Sequence, residues 1–116
     1  MRIPTKQEWI DALRSGKFKQ GKRLLHDLET DTYCCLGVLC KIAELNENEE
    51  IDYDDKKVGI FIDNEYCKDK YFLPTTFRIK FGISNIIQDI LINKNDGDNY
   101  SFEEIANYLE QITLIT

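Results

Sequence analysis

The chain has 116 residues, of which 42% are hydrophobic and 31% charged, with a formal net charge of −6. The surface relations for folded and unfolded chains give roughly 6,600 Å² against about 20,000 Å², enough burial for one core and too little for two. No stretch approaches the ~18–20 apolar residues of a membrane span, and the opening MRIPTKQEW lacks the apolar segment of a secretory leader, so none is expected.

Along the chain, Thr5-Lys6-Gln7-Glu8 reads as a capping box that opens a helix with Trp9, Ile10, Ala12 and Leu13 on one face, stopped at Gly16. The basic stretch Lys17 to Lys22 predicts a loop, and Leu24 to Leu28 a short strand. Tyr33 to Leu45 is the most apolar segment, and its pattern wraps most of a helix, so it is expected to form the buried centre of the fold. Gly37 costs that helix about 1 kcal/mol of propensity, which points to close packing against another backbone. Asn46 to Asp55 is acidic and polar and predicts a surface loop.

Val58 to Ile62 and Glu65 to Lys68 read as a β-hairpin turning at Asp63-Asn64. Thr75 to Phe81 predicts a short helix stopped by Gly82. Ile86 to Ile92 fits helix or strand, and Asn95-Asp96-Gly97 reads as a turn. Ser101-Phe102-Glu103-Glu104 is a second capping box, opening a helix with Phe102, Ile105, Ala106, Leu109 and Ile112 toward the core. There is no repeat and no linker. The expectation is one α+β domain over residues 1–116: a buried central helix, an N-terminal helix capping it, a C-terminal helix and a short antiparallel sheet.

Charge is unevenly distributed. Residues 1–23 hold seven Lys/Arg against two acids, whereas residues 24–116 hold eight against nineteen. So acidic a body repels phosphate, which argues against general nucleic-acid binding. Two uses of the asymmetry remain: the basic segment meets a small anion, or the acidic body imitates nucleic acid toward a basic protein.

Four cysteines (Cys34, Cys35, Cys40, Cys67) lack Cys-x-x-Cys spacing and are accompanied by a single histidine, His26, so neither a metal nor a cofactor is expected. Cys also serves as a small buried hydrophobe. A thiol enzyme would need a low-pKa cysteine beside a base, and His26 near Cys34 or Cys35 is the one arrangement that could supply it. Arg14, Lys17, Lys22 and Arg23 flank Phe18, with Tyr33 nearby. Cations that hold phosphates beside an aromatic ring that stacks on a base are the means of nucleotide capture.

The motifs Trp9-x-x-Ala-Leu-Arg-Ser-Gly-Lys-Phe-Lys-Gln-Gly21 and Tyr33-Cys-Cys-Leu-Gly-Val-Leu-Cys40, with Leu73-Pro74, Gly82, Asn95-Asp96 and Ser101-Phe-Glu-Glu-Ile-Ala106, resemble a widespread group of small proteins encoded by tailed phages and prophages. His26 lies outside the shared pattern, which counts against a Cys–His pair. The resemblance implies action in the cytoplasm of an infected bacterium. Because small accessory phage proteins often act against host defence, it also implies a counter-defence role.

The leading expectation is therefore a non-enzymatic protein that sequesters a small nucleotide immune signal of the cyclic ADP-ribose type. Arg14, Lys17, Lys22 and Arg23 would contact phosphate, Phe18 or Tyr33 would stack on the base, and Asn95 and Asp96 would meet ribose hydroxyls. A pocket deep enough forms most readily between subunits, which makes a homo-oligomer a candidate state. The alternatives are an acidic inhibitor of a host defence nuclease, acting through Glu47, Glu49, Glu50, Asp52, Asp54 and Asp55, and a thiol-dependent enzyme.

Overall fold

A computed structural model describes residues 2–64 and 66–114. Local signals set most of the helices. The Thr5 hydroxyl accepts the Glu8 N–H while the Glu8 carboxylate accepts the Thr5 N–H, and this reciprocal cap opens α1 (Lys6–Arg14), which buries Trp9, Ile10 and Leu13. The same device at Ser101 and Glu104 opens the last helix, α5 (Phe102–Gln111), which buries Phe102, Ile105, Ala106 and Leu109. Between them lie α2 (Cys35–Ile42), α3 (Thr75–Phe81) and α4 (Asn85–Asp96). Gly82 ends α3 at φ +104°, a left-handed cap that favours glycine.

Among the described residues, six strands complete the α+β fold: β1 (Lys19–Gln20), β2 (His26–Asp27), β3 (Thr32–Tyr33), β4 (Asn46–Ile51), β5 (Lys57–Ile62) and β6 (Lys68–Asp69). Their order is β1-β3-β2-β5-β4, with β6 also pairing β5. β1 runs parallel to β3 and the other pairs are antiparallel, so the sheet is mixed rather than purely antiparallel.

Several segments differ from the sequence reading. Asn46 to Asp55 is no loop: its first six residues are β4, paired along their whole length with β5 from Asn46↔Ile62 to Ile51↔Lys57. The principal hairpin is thus β4–β5. The expected partner segment Glu65 to Lys68 contributes only Lys68 to β6, and its Glu65 lies outside the described residues. Only His26 and Asp27 of Leu24 to Leu28 are strand, and the basic stretch contains β1. Ile86 to Ile92 resolves as helix. Asn95 and Asp96 form the last turn of α4 instead of a free turn, with Gly97 as its cap.

The core lies where α2 meets the sheet and the other helices. Six of the eight α2 residues are buried, and fully burying one such aliphatic side chain stabilises by roughly 1.5–3 kcal/mol. Trp9 is fully buried, donates its indole N–H to the Cys35 carbonyl at 3.0 Å, and meets the Phe81 ring edge-on at 5.6 Å. Gly37 faces the chain entering β2 so closely that a Cβ there would stand 1.7 Å from the Leu25 carbonyl oxygen.

Alternation along β5 divides the apolar residues. Phe61 faces the main core, while Val58 and Ile60 join Leu24 in a smaller cluster on the other side, against Ile62 and Tyr71. This second cluster forms the floor of a surface groove. Among the described residues, no helix is long and apolar enough to cross a membrane.

Candidate ligand groove

Tyr71 follows β6 in a turn fixed by Asp69, whose Oδ1 accepts the N–H groups of Tyr71 and Phe72 at 2.8 and 2.9 Å. The Lys70 carbonyl accepts the Leu25 N–H at 2.8 Å, which ties this turn to the chain entering β2. The half-buried Tyr71 ring rests on the small cluster of Leu24, Val58 and Ile60. Three cavities share it. One of about 500 Å³ is bordered by Lys22, Arg23, Glu29, Asp52, Asp54 and Lys56. Another of about 310 Å³ runs over Val58 and Ile60 between Glu50 and Lys68. A third of about 200 Å³ adds Phe72, Ile92 and Asp96 beside Arg23. The Lys70 ammonium lies 5.2 Å from the Tyr71 ring centre and 5.0 Å from that of Tyr53, both within cation–π range.

Arg23 adopts φ +69°, a left-handed conformation that costs a non-glycine residue roughly 1–2 kcal/mol. Asp96 holds it there, its Oδ1 accepting the Arg23 N–H at 2.9 Å. Beside it, Asn95 is 1% exposed and fully engaged. Its Oδ1 accepts from the Gln20 side chain at 2.9 Å and the Cys35 N–H at 3.2 Å, and its Nδ2 donates to the Gly21 carbonyl at 2.9 Å and to Asp96 at 2.8 Å. The basic segment is therefore bolted to the end of α4.

Of the residues expected from sequence to bind a ligand, the structure brings together Lys22, Arg23 and Asp96, which line the groove with Tyr71. Lys22 also reaches the Asn99 side chain. Asn95 is corrected from a ribose contact to an internal tie, because its amide has no bonding position left for a ligand. Arg14 is corrected likewise. Its guanidinium bonds Asn107 at 2.6 Å and pairs with Glu110 and, at 3.4 Å, with Glu103, so it clamps α1 to α5.

Tyr33 is buried, stacked on His26 with ring centres 4.0 Å apart, and the half-buried Phe18 meets it edge-on at 5.3 Å. Neither ring lines the groove. Lys17 is exposed, with its N–H donated to Ser15 Oγ at 3.1 Å. Sequence reasoning misses Lys70 and Tyr71, for which the only signal is a Lys-Tyr-Phe run before Pro74, and Lys56, which pairs with Asp27 at 2.7 Å.

The histidine has a different partner from the one expected. His26 Nδ1 lies 2.5 Å from Glu47 Oε2 and Nε2 lies 2.8 Å from Asp31 Oδ1, and Glu47 also takes Lys41 at 3.1 Å. Ionised carboxylates only accept, so both contacts are satisfied together by the imidazolium form. Burial alone would lower the His26 pKa, but the hydrogen bonds to Glu47 and then Asp31 prevail and raise it. Burial would raise that of Glu47, and His26 and Lys41 hold it below its ordinary value instead. Gly59 makes the contact feasible, since a Cβ there would overlap the Glu47 carboxylate at 1.8 Å.

Both ring nitrogens of His26 thus face carboxylates rather than a thiol. Burial pushes the Cys34 thiol up to about 12 and those of Cys35 and Cys40 well above the ordinary value, the reverse of what a thiol nucleophile needs. Among the described residues, no cluster of three or more His, Cys, Asp or Glu side chains could hold a metal.

The six acids expected to imitate nucleic acid fall on β4 and the turn after it. Glu47 is committed to His26, Glu49 lies 3.7 Å from Lys57, and Asp52 accepts the N–H groups of Asp54 and Lys56 within its turn. Glu50, Asp54 and Asp55 are exposed.

No curated protein and no solved structure matches this chain. A family model covers residues 1–113, and the chain belongs to that family, the domain of unknown function DUF8296.

Proposed function

We propose that the chain is a phage counter-defence protein that captures a small nucleotide signal, of the cyclic ADP-ribose type, in the groove around Tyr71 and holds it without turnover in the cytoplasm of the infected host. The observation that carries this reading is the meeting of Lys22, Arg23 and Asp96 with the Tyr71 ring around one groove, where Arg23 is held in a left-handed backbone. A left-handed non-glycine residue persists only where its surroundings hold it, and such residues cluster at ligand sites. Here Asp96 fixes Arg23 at two of the three cavities that share Tyr71.

The Arg23 guanidinium forms no ion pair among the described residues. It and Lys22 supply charge for phosphate, Tyr71 supplies a face for a base, and Glu29 or Asp54 accepts from ribose hydroxyls. Binding without turnover is favoured because the buried thiols resist ionisation and His26 is occupied by carboxylates.

Titration calorimetry against AMP, ADP-ribose and cyclic ADP-ribose tests the reading. At least one is expected to bind and to be recovered intact, and Tyr71→Ala is expected to weaken it by roughly ten- to a hundred-fold, the ~1–3 kcal/mol of base–aromatic stacking. Absence of binding across the panel, or binding indifferent to Tyr71→Ala, would overturn it. Light scattering with and without ligand reports whether two subunits share the groove.

A further inference from the structure

We infer that the outer edge of β4 is a docking strand for an extended, lysine- or arginine-rich segment of another protein, which joins the sheet as an additional antiparallel strand. β4 stands last in the strand order, and five of its six residues are exposed. Among the described residues, its outward backbone N–H and C=O groups have no backbone partner. Proteins blunt such an edge with charged side chains, lysine above all, or with proline, a bulge, brevity or a covering element; the charges on β4 are all glutamates, which turn away another acidic strand and admit a basic one. The opposite edge is blunted: β1 is two residues long and carries Lys19. β4 is as long as its partner β5, contains neither lysine nor proline, and presents exposed Ile51 at its end with exposed Tyr53 just beyond, 63% and 86% accessible, on which an added strand can lay apolar side chains.

The charge on β4 selects the occupant. A second copy of the chain is the obvious candidate, pairing β4 with β4 about a two-fold axis. Every antiparallel register that overlaps at least five of the six residues sets glutamate against glutamate: Glu47 opposite Glu50, Glu47 opposite Glu49, or Glu49 opposite its own copy. Like charges directly opposed across a strand pair are destabilising. The same carboxylates, Glu49 and Glu50 above all, favour lysine or arginine at the facing positions. The backbone provides the affinity and the glutamates choose the sign of the partner, as in other complexes made by strand addition. Glu50 and Ile51 also border the cavity over Val58 and Ile60, whereas Lys22 and Arg23 line the other cavities around Tyr71.

The test uses a fluorescein-labelled seven-residue peptide alternating lysine with threonine, and the same peptide N-methylated at alternate residues so that one edge cannot hydrogen bond. The full chain is expected to bind the first at least tenfold more tightly than the second, with slowed amide exchange confined to β4. The Glu49→Lys/Glu50→Lys variant, checked for an unchanged circular dichroism spectrum, is expected to reverse the preference toward a glutamate–threonine peptide. Equal binding of the methylated and unmethylated peptides would reduce the effect to diffuse charge attraction and overturn the inference. So would no binding, or a homodimer in light scattering that protects β4.

Discussion

Replacing Gly37 by alanine offers the sharpest test of how the core is built. In an isolated helix this change stabilises by about 1 kcal/mol, because glycine is the poorer helix former. In α2 the added methyl would stand 1.7 Å from the Leu25 carbonyl oxygen and 2.6 Å from its carbon, both backbone atoms. Ordinary contact begins at 3.4 Å, so α2 and the chain entering β2 must part by roughly 1.7 Å in a close-packed interior. Leu25 cannot yield cheaply. It is fully buried, and its N–H is bonded to Lys70.

Forced overpacking costs typically 1–3 kcal/mol and more where backbone must move. A gross cost on the order of 4 kcal/mol, less the propensity gain, leaves a net loss near 3 kcal/mol. Stability for a chain this long is on the order of 6–17 kcal/mol, so the variant remains folded but weakened. Urea denaturation followed by the fluorescence of Trp9, the sole tryptophan, is expected to show a midpoint lowered by about 1 M or more. Gly16→Ala is the control. At φ +76° with nothing within 4 Å, it is expected to lose only the ~1 kcal/mol of backbone strain. A Gly37→Ala midpoint equal to or above that of the parent would refute the packing argument.

Three further outcomes are expected. The raised His26 pKa means that its contribution to stability is fully present below its unfolded value of 6.5 and fades as pH rises through the folded value. His26→Gln should therefore cost on the order of 2 kcal/mol at pH 6 and distinctly less at pH 9 in urea titrations, and a pH-independent difference would contradict the ion-pair assignment. For Asn95→Ala, loss of four buried hydrogen bonds should destabilise by about 3 kcal/mol, read as a fall in melting temperature of roughly 10 °C, and a fall under 2 °C would contradict its role as a tie. At neutral pH a thiol reagent should label half-buried Cys67 first and reach buried Cys34, Cys35 and Cys40 only in denaturant, whereas rapid labelling of any of those three would revive the thiol-enzyme alternative.

Features written in consecutive residues are legible in the amino-acid sequence alone. Both capping boxes and the stop at Gly82 are local patterns and lie where the sequence puts them, and the apolar stretch expected as one helix from Tyr33 to Leu45 yields the shorter α2 over Cys35–Ile42, with Tyr33 in β3. Asn46 to Ile51 is not legible in this way, because NENEEI has no apolar face. It becomes a strand only through pairing with β5, and an edge strand needs no inward hydrophobe of its own. Asn95 misleads for the opposite reason. Asn-Asp-Gly is strong turn chemistry, but the partners that hold Asn95 inside lie 60 and more residues away. The groove is hidden by the same distance: Arg23 and Asp96 each stand out in the sequence, while Tyr71 joins them only through the fold.

The clamp between the first and last helices sets the order in which a newly made chain can finish folding. Arg14 grips Glu103, Asn107 and Glu110, and Lys6 reaches the Ile112 carbonyl, so α1 finds its main partner only after the residues through α5 have been made. At about 5–20 residues per second, synthesis of the intervening chain leaves Trp9, Ile10 and Leu13 without that cover for roughly 5–20 s, a long interval for an apolar stripe in a crowded cell. Contacts so distant in sequence also slow folding itself, since the loop they close must be ordered before they form. Ribosome-bound chains halted before Ser101 should therefore leave Arg14 without its α5 partners, and chains extended past Gln111 should engage it.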